Sequence, residues 1–261
     1  MKTIHAIIIS TLILITTGCK EDHLEEKGFQ VSPTSEATEE DRATWINQDS
    51  LKFDTRPSNV LLTSDPNIRV TTIYKVNFNK ERKATFIGSN SYYGNYTEIV
   101  NTIGNEWNYN FMPGLSAVYG YNMVNISHYD IATNKQKNFF ENPVLIKTFY
   151  FPAYSKDTLN FKPVSRNYFM ISVYNEDTNK DGFINLKDLR RLFLFDINGD
   201  KQKALVPENY SVLKSEYDQE NDFMYVFAKL DENQNGQLED SEPIHIYWID
   251  LKDPGKSGRQ Y

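Results

Sequence analysis

Residues 169–196, FMISVYNEDTNKDGFINLKDLRRLFLFD, and residues 223–250, FMYVFAKLDENQNGQLEDSEPIHIYWID, are two copies of one pattern. They align without a gap: Phe169 with Phe223, Asp177 with Asp231, Gly182 with Gly236 and Asp196 with Asp250, all 54 residues apart. In both, an alternating run enters an Asp-x-Asn-x-(Asp/Asn)-Gly loop and a second alternating run leaves it. Alternation of period two suits a strand with one face buried, because successive side chains point to opposite faces. The repeat therefore predicts stacked strand–loop–strand units and an all-β domain.

The last strand of the unit and its turn recur further up the chain, in TTIYKVNFNKERKATF, NISHYDIATNKQKNFF, RLFLFDINGDKQKAL and HIYWIDLKDPGKSG. Aligning Asn77, Asp130, Asp196 and Asp250 gives spacings of 53, 66 and 54. Each copy ends its strand in Asn, Asp, Gly or Lys, residues that favour turns for backbone reasons. Aromatic residues make up 14% of the chain, with 17 Tyr and 16 Phe, and no long helical stripe appears; both favour strands. Strands are expected near Val60–Thr63, Ile68–Phe78, Thr97–Thr102, Met123–Ile131, Val144–Tyr150, Asn167–Tyr174, Arg190–Ile197, Tyr210–Tyr217, Phe223–Lys229 and Pro243–Leu251. Residues 88–120 are rich in Tyr, Asn and Gly and lack a clear period. Units of several strands at this spacing are expected to form propeller-like antiparallel blades, about four of them, with a β-sandwich as the alternative. The segment LFLFDINGDKQKALVPENYSVLKSEYDQENDFMYVFAK resembles blades of periplasmic WD-like propellers, and the resemblance covers about the last hundred residues.

The loops carry the chemistry. A twelve-residue loop that wraps a hard cation needs oxygen ligands at positions 1, 3, 5, 7, 9 and 12, with Gly at 6 for the sharp turn. Loop 177–188 supplies Asp177, Asn179, Asp181, the Phe183 carbonyl, Asn185 and Asp188 around Gly182. Loop 231–242 supplies Asp231, Asn233, Asn235, the Gln237 carbonyl, Glu239 and Glu242 around Gly236. Ile184 and Leu238 stand at position 8 as apolar anchors. Three carboxylates per loop, with amide and carbonyl oxygens, suit Ca²⁺; zinc or copper would need His or Cys. Two Ca²⁺ are therefore expected. With six positions used, the loops resemble those of EF-hand and dockerin families; the first nine alone are similar to calcium loops on integrin-type propellers. The former lie between helices and the latter between strands. A β context is expected here, with one turn of helix over Leu186–Arg191 as a variant; Pro243 discourages helix after the second loop.

The leader MKTIHAIIISTLILITTGC combines Lys2, an apolar run from Ile4 to Ile15 and small residues before Cys19, the only Cys in the chain. This is the composition of a secretory signal over residues 1–18. It resembles a bacterial lipoprotein signal, which implies cleavage before Cys19, lipid on that residue and attachment to the membrane of a cell envelope. Thr16 stands where that family prefers Leu. The Lys-Glu-Asp after Cys19 is similar to export signals of Bacteroidetes surface lipoproteins. With Cys19 lipidated, no internal disulfide can form. Residues 19–48 are acidic and Ser/Thr-rich, a composition expected of a flexible tether. Residues 49–261 then form the domain.

Formal charge is −7, which argues against a nucleic-acid partner. No nucleophile elbow, phosphate-binding glycine loop or second thiol is present, and no catalytic residue is assigned. His128 and His245 fall on expected strands at non-equivalent positions. Tyr92, Tyr93, Tyr96, Trp107, Tyr109, Tyr119 and Tyr121 form a candidate ligand surface for a glycan or protein partner, since these rings join a flat apolar face to a polar edge. The chain reads as a non-enzymatic calcium-binding envelope lipoprotein, with a glycan-binding or glycan-processing surface lipoprotein as the alternative.

Overall fold

A computed structural model describes residues 28–31, 53–79, 83–87, 92–93 and 112–261, and no helix occurs among them. The strands, in chain order, are β1 (Phe29–Gln30), β2 (Thr55–Leu62), β3 (Ile68–Lys75), β4 (Asn77–Asn79), β5 (Ala84–Phe86), β6 (Tyr92–Tyr93), β7 (Leu115–Asp130), β8 (Lys135–Asn138), β9 (Leu145–Pro152) and β10 (Asp157–Leu159). There follow β11 (Lys162–Val164), β12 (Tyr168–Tyr174), β13 (Phe183–Ile184), β14 (Arg191–Asp196), β15 (Lys201–Ala204), β16 (Tyr210–Asp218), β17 (Phe223–Leu230), β18 (Ile244–Asp250) and β19 (Ser257–Arg259). Nine of the ten expected strands agree in place with β2, β3, β7, β9, β12, β14, β16, β17 and β18; the remaining one, Thr97–Thr102, lies outside the described residues.

All pairing is antiparallel, in a nine-stranded sheet, a four-stranded sheet and three two-stranded ones. The pairing resolves into three four-stranded runs: β2-β3-β7-β8, β9-β12-β14-β15 and β16-β17-β18-β19. The first two are joined because the front half of β7 pairs with β9 and its back half with β3. The switch falls at a register shift where Asn122 adopts φ 61°, a left-handed conformation that Asn tolerates better than most residues.

Aromatic contacts show that the nine-stranded sheet folds over on itself at this point. Phe139, just after β8, lies 5.1 Å from both Phe169 and Phe195, and His128 lies 6.2 Å from Phe169. In a flat sheet β7 and β14 would stand about 14 Å apart, three strand spacings. One core, including Val70, Ile126, Phe149, Phe169 and Phe195, therefore fills the space between the first and second runs. A second core, including Met170, Leu192, Leu194, Val212, Val226 and Ile249, lies between the second and third. The middle run is buried on both faces, which explains why all seven residues of β12 are buried.

Each run ends in a hairpin closed by an Asp. Asp130 accepts the Ala132 amide at 2.8 Å, Asp196 the Asp200 amide at 3.0 Å and Asp250 the Lys252 amide at 2.9 Å. Three of the four repeated strand ends thus share one capping device. The fourth is corrected: Asn77 opens the separate hairpin β4–β5 and ends no four-stranded run. No closed ring of blades is seen among the described residues.

A buried ion pair locks the third run to the second. Arg166, 4% exposed, donates to both oxygens of Asp222 at 2.8 Å, to the Leu251 carbonyl at 2.6 Å and to the Pro113 carbonyl at 3.1 Å.

Candidate metal centre

Both loops join the second strand of a four-stranded run to the third. Loop 177–188 links β12 to β14, and loop 231–242 links β17 to β18. Leu186–Arg190 forms turns and irregular backbone, so the exit-helix variant does not hold.

The two loops repeat the same internal hydrogen bonds. At position 1, Asp177 Oδ1 and Oδ2 accept the amides of Asp181 (3.1 Å) and Gly182 (2.8 Å). Asp231 likewise accepts those of Asn235 (3.1 Å) and Gly236 (3.0 Å). At position 3, Asn179 Oδ1 and Asn233 Oδ1 accept the amide of position 5, each at 3.0 Å. At position 5, Asp181 and Asn235 accept the amide of position 7, at 3.0 and 2.9 Å. At position 12, Asp188 takes the amides of Thr178 and Asn185, each at 2.8 Å, and Glu242 those of Glu232 and Glu239, at 3.2 and 3.1 Å. Positions 4 and 6 have positive φ in both loops: Lys180 59° and Gly182 89°, Gln234 58° and Gly236 72°. The backbone amides thus turn the oxygens of positions 1, 3 and 5 into the concave side of each loop. A carboxylate or amide oxygen that accepts one hydrogen bond keeps a lone pair for a cation.

Position 7 of the first loop faces the same way. Val31 donates to the Gly182 carbonyl at 2.8 Å, and β1 pairs with β13 so that Phe29 is opposite Ile184 and Gln30 opposite Phe183. Alternation along an antiparallel strand directs the Phe183 amide and carbonyl away from β1, toward the loop. Its amide does donate into the loop, to Asp181.

Among the described residues no group of three Asp, Glu, His or Cys side chains stands close enough to hold an ion on its own. A cation in either loop would have to draw on amide and backbone oxygens as well as acids, the donor types that suit a hard, oxygen-seeking ion. Asn179 Nδ2 donates to Asp181 at 3.3 Å, and Asn235 Nδ2 to Glu239 at 2.5 Å, so each Asn side chain ties one carboxylate of its loop. Asp188 is 1% exposed, and burial pushes its carboxyl up from the ordinary range, while the amides of Asn185, Asn179 and Thr178 pull it down and the charge of Asp177 adds to the rise.

Three features escaped the sequence reading. Thr178 Oγ1 donates to the Gly236 carbonyl at 2.6 Å, so the loops touch. A Cβ on Gly236 would lie 1.9 Å from the Thr178 carbonyl oxygen, so glycine is required there for room as well as for φ. Buried Arg191 anchors the exit of the first loop, donating to the Tyr210 carbonyl at 2.9 Å; burial lowers its pKa, opposed by Glu176, Glu208, Asp231 and Asp188. Within the stretch read as tether, Phe29–Gln30 form β1 against β13 of the first loop, with Phe29 buried.

Elsewhere, His128 Nε2 lies 2.9 Å from the Ile197 carbonyl and His245 Nδ1 lies 2.8 Å from the Tyr210 hydroxyl. Of the aromatic surface, Tyr96, Trp107 and Tyr109 lie outside the described residues, as do the leader and Cys19. Backbone pairing sets Tyr92 opposite Tyr119 and Tyr93 opposite Val118, while Tyr121 lies further along β7.

No family model matches the chain, and no curated protein does. A solved structure similar to it is the dipeptidyl peptidase 4 of Porphyromonas gingivalis, at 11% identity and a TM-score of 0.21. The match covers 77% of this chain and spans 30% of the peptidase chain.

Proposed function

We propose that this chain is a non-enzymatic lipoprotein of a bacterial envelope in which two Ca²⁺ brace a propeller-like stack of antiparallel blades. The observation that carries the reading is the duplicated framework: two loops 54 residues apart in sequence reproduce the same amide-to-oxygen bonds at positions 1, 3, 5 and 12. Ordinary turns joining strands need no such set. The residues that would hold the ions are Asp177, Asn179, Asp181, Phe183, Asn185 and Asp188 in one loop, and Asp231, Asn233, Asn235, Gln237, Glu239 and Glu242 in the other.

Three carboxylates in one small loop repel one another, and a bound divalent ion removes that repulsion. Calcium outside the cell is steady, so its role in this reading is structural, at affinities of about 10⁻⁴ to 10⁻³ M. Cys19 carries the lipid, and the displayed body serves as a binding or scaffold module. The pairing of β6 with β7 supports a glycan-binding second reading, because it brings the backbones of Tyr92 and Tyr119 side by side. A glycan array without hits retires that second reading.

Calorimetric titration of the chain beginning at Cys19 with Ca²⁺ is expected to show two sites, both lost in the double variant D177A/D231A. Unchanged binding in that variant overturns the calcium reading. Mass spectrometry of the native N-terminal peptide tests the anchor: an unmodified terminus at another residue removes the lipoprotein claim and leaves the calcium claim standing.

A further inference from the structure

The two loops differ in what covers position 8. Ile184 of the first is 5% exposed because β1 lies on it, whereas the equivalent Leu238 of the second is 41% exposed. The covering strand comes from the segment nearest the anchor. It is held by three further contacts. Phe29 packs in a cluster with Val124, Leu145, Tyr174 and Ile184. Its ring lies 5.2 Å from that of Phe53, and Lys75 Nζ donates to the Gly28 carbonyl at 3.0 Å. Gly28 has φ 51°, and a Cβ there would lie 1.7 Å from the Ile184 carbonyl oxygen.

From this geometry we infer that the first loop is the docking site for residues 28–31 of its own chain, and that Ca²⁺ in that loop controls the docking. The inference rests on the calcium reading above. β1 grips the loop through the Gly182 carbonyl and through Ile184, and these flank Phe183, whose carbonyl is the position 7 ligand. A loop collapsed onto an ion presents that edge as a fixed strand. Without the ion that edge is held by the loop's own amide-to-oxygen bonds alone, and is easier to displace. Linkage is reciprocal, so docking of β1 must tighten the ion by the same factor by which the ion tightens β1.

The consequence is a change of leash. With β1 docked, Gly28 of the folded body lies nine positions after Cys19. The covalent reach of that span is at most about 30 Å. With β1 released, the next described residue is Phe53, 34 residues after Cys19, and the covalent limit rises to about 110–120 Å. Calcium-poor conditions would raise the limit on how far the domain can stand from its membrane.

Hydrogen–deuterium exchange on the intact chain tests this, with Ca²⁺ alone as the added ligand. The Phe29 and Val31 amides are expected to be protected in Ca²⁺ and to lose that protection in chelator. D177A should abolish the calcium effect at β1, and D231A should retain it. G28A, which blocks docking at the edge, should weaken one of the two calcium sites by on the order of tenfold. F29A, which removes the buried ring and leaves the edge intact, should shift the same site in the same direction. If calorimetry shows two sites while β1 protection ignores chelator, or while G28A and F29A bind like the parent, the docking control is overturned and the calcium reading survives. If no Ca²⁺ binds, both fall.

Discussion

The two loops obey one local code and live in different surroundings. The first is embraced: Ile184, Asn185 and Asp188 are buried, β1 covers its edge, and Arg190 and Arg191 fasten its exit to β16 through the Val212 and Tyr210 carbonyls. The second stands open, with Asn233, Asn235, Gln237 and Leu238 exposed and only Asp231, Gly236 and Glu242 buried. Each sets three carboxylates at the expected ligand positions, but Glu232 and Asp240 add negative charge to the second loop while Lys180 and Lys187 add positive charge to the first, so Coulomb attraction for a cation favours the second. Rigidity favours the first. A loop whose backbone is already fixed loses less conformational entropy when the ion closes it. The first loop should bind more tightly if that rigidity outweighs the second loop's extra charge and the longer reach of Glu242.

The contact between the loops gives the largest expected effect. In G236A the new Cβ would meet Thr178 backbone oxygen and carbon at 1.9 and 2.3 Å, atoms that move only if the first loop moves. A β-carbon is also disfavoured at φ 72°. The variant should lose about 4 kcal/mol of stability, read as a lowered urea midpoint. A loss under about 1 kcal/mol would show that the loops are not in firm contact.

Position 8 gives the next contrast. I184A should cost about 3 kcal/mol by opening a cavity beneath β1. L238A, at the matching and exposed place, should stay within about 0.5 kcal/mol of the parent. Equal losses would erase the distinction between an embraced loop and an open one.

Calcium itself ranks third. At a hundredfold excess over the dissociation constant, an occupied site adds about 2.7 kcal/mol. If the first loop binds more tightly, D177A should remove more of the calcium-induced rise in melting temperature than D231A at limiting Ca²⁺. The opposite order would show that the second loop's extra charge and Glu242 outweigh the rigidity of the first loop.

Long-period features were legible in the sequence because each element advertises itself locally. β14 is a short apolar run and β18 alternates in part, both end in a turn-forming Asp, and the candidate ligand oxygens sit at fixed offsets from Gly182 and Gly236. What could not be read depends on partners far along the chain. β1 is a two-residue strand in an acidic stretch, and Ile184, its partner, is about 150 residues away. The β10–β11 hairpin turns at Asn160 and Phe161, both with positive φ. Phe at such a site gives no turn signal, since bulky residues rarely adopt that conformation. The fold-over at Asn122 likewise rests on one left-handed residue inside the longest strand.

The smallest effect tests whether the loops communicate. Thr178 occupies position 2 of the first loop, where no ligand is needed, yet its hydroxyl reaches the Gly236 carbonyl and accepts the Leu189 amide at 2.9 Å. T178V keeps the side-chain shape and removes both bonds. A lost hydrogen bond of this kind is worth about 1 kcal/mol. That part of it which holds Gly236 in place should weaken calcium at the second loop by up to about fivefold, although the substitution lies in the first. Calorimetry on T178V/D177A against D177A isolates the second site and removes any contribution from the first. Equal affinities there would show that the Thr178 bridge fastens two independent loops side by side; a weaker site in T178V/D177A would show that the first loop sets the shape of the second.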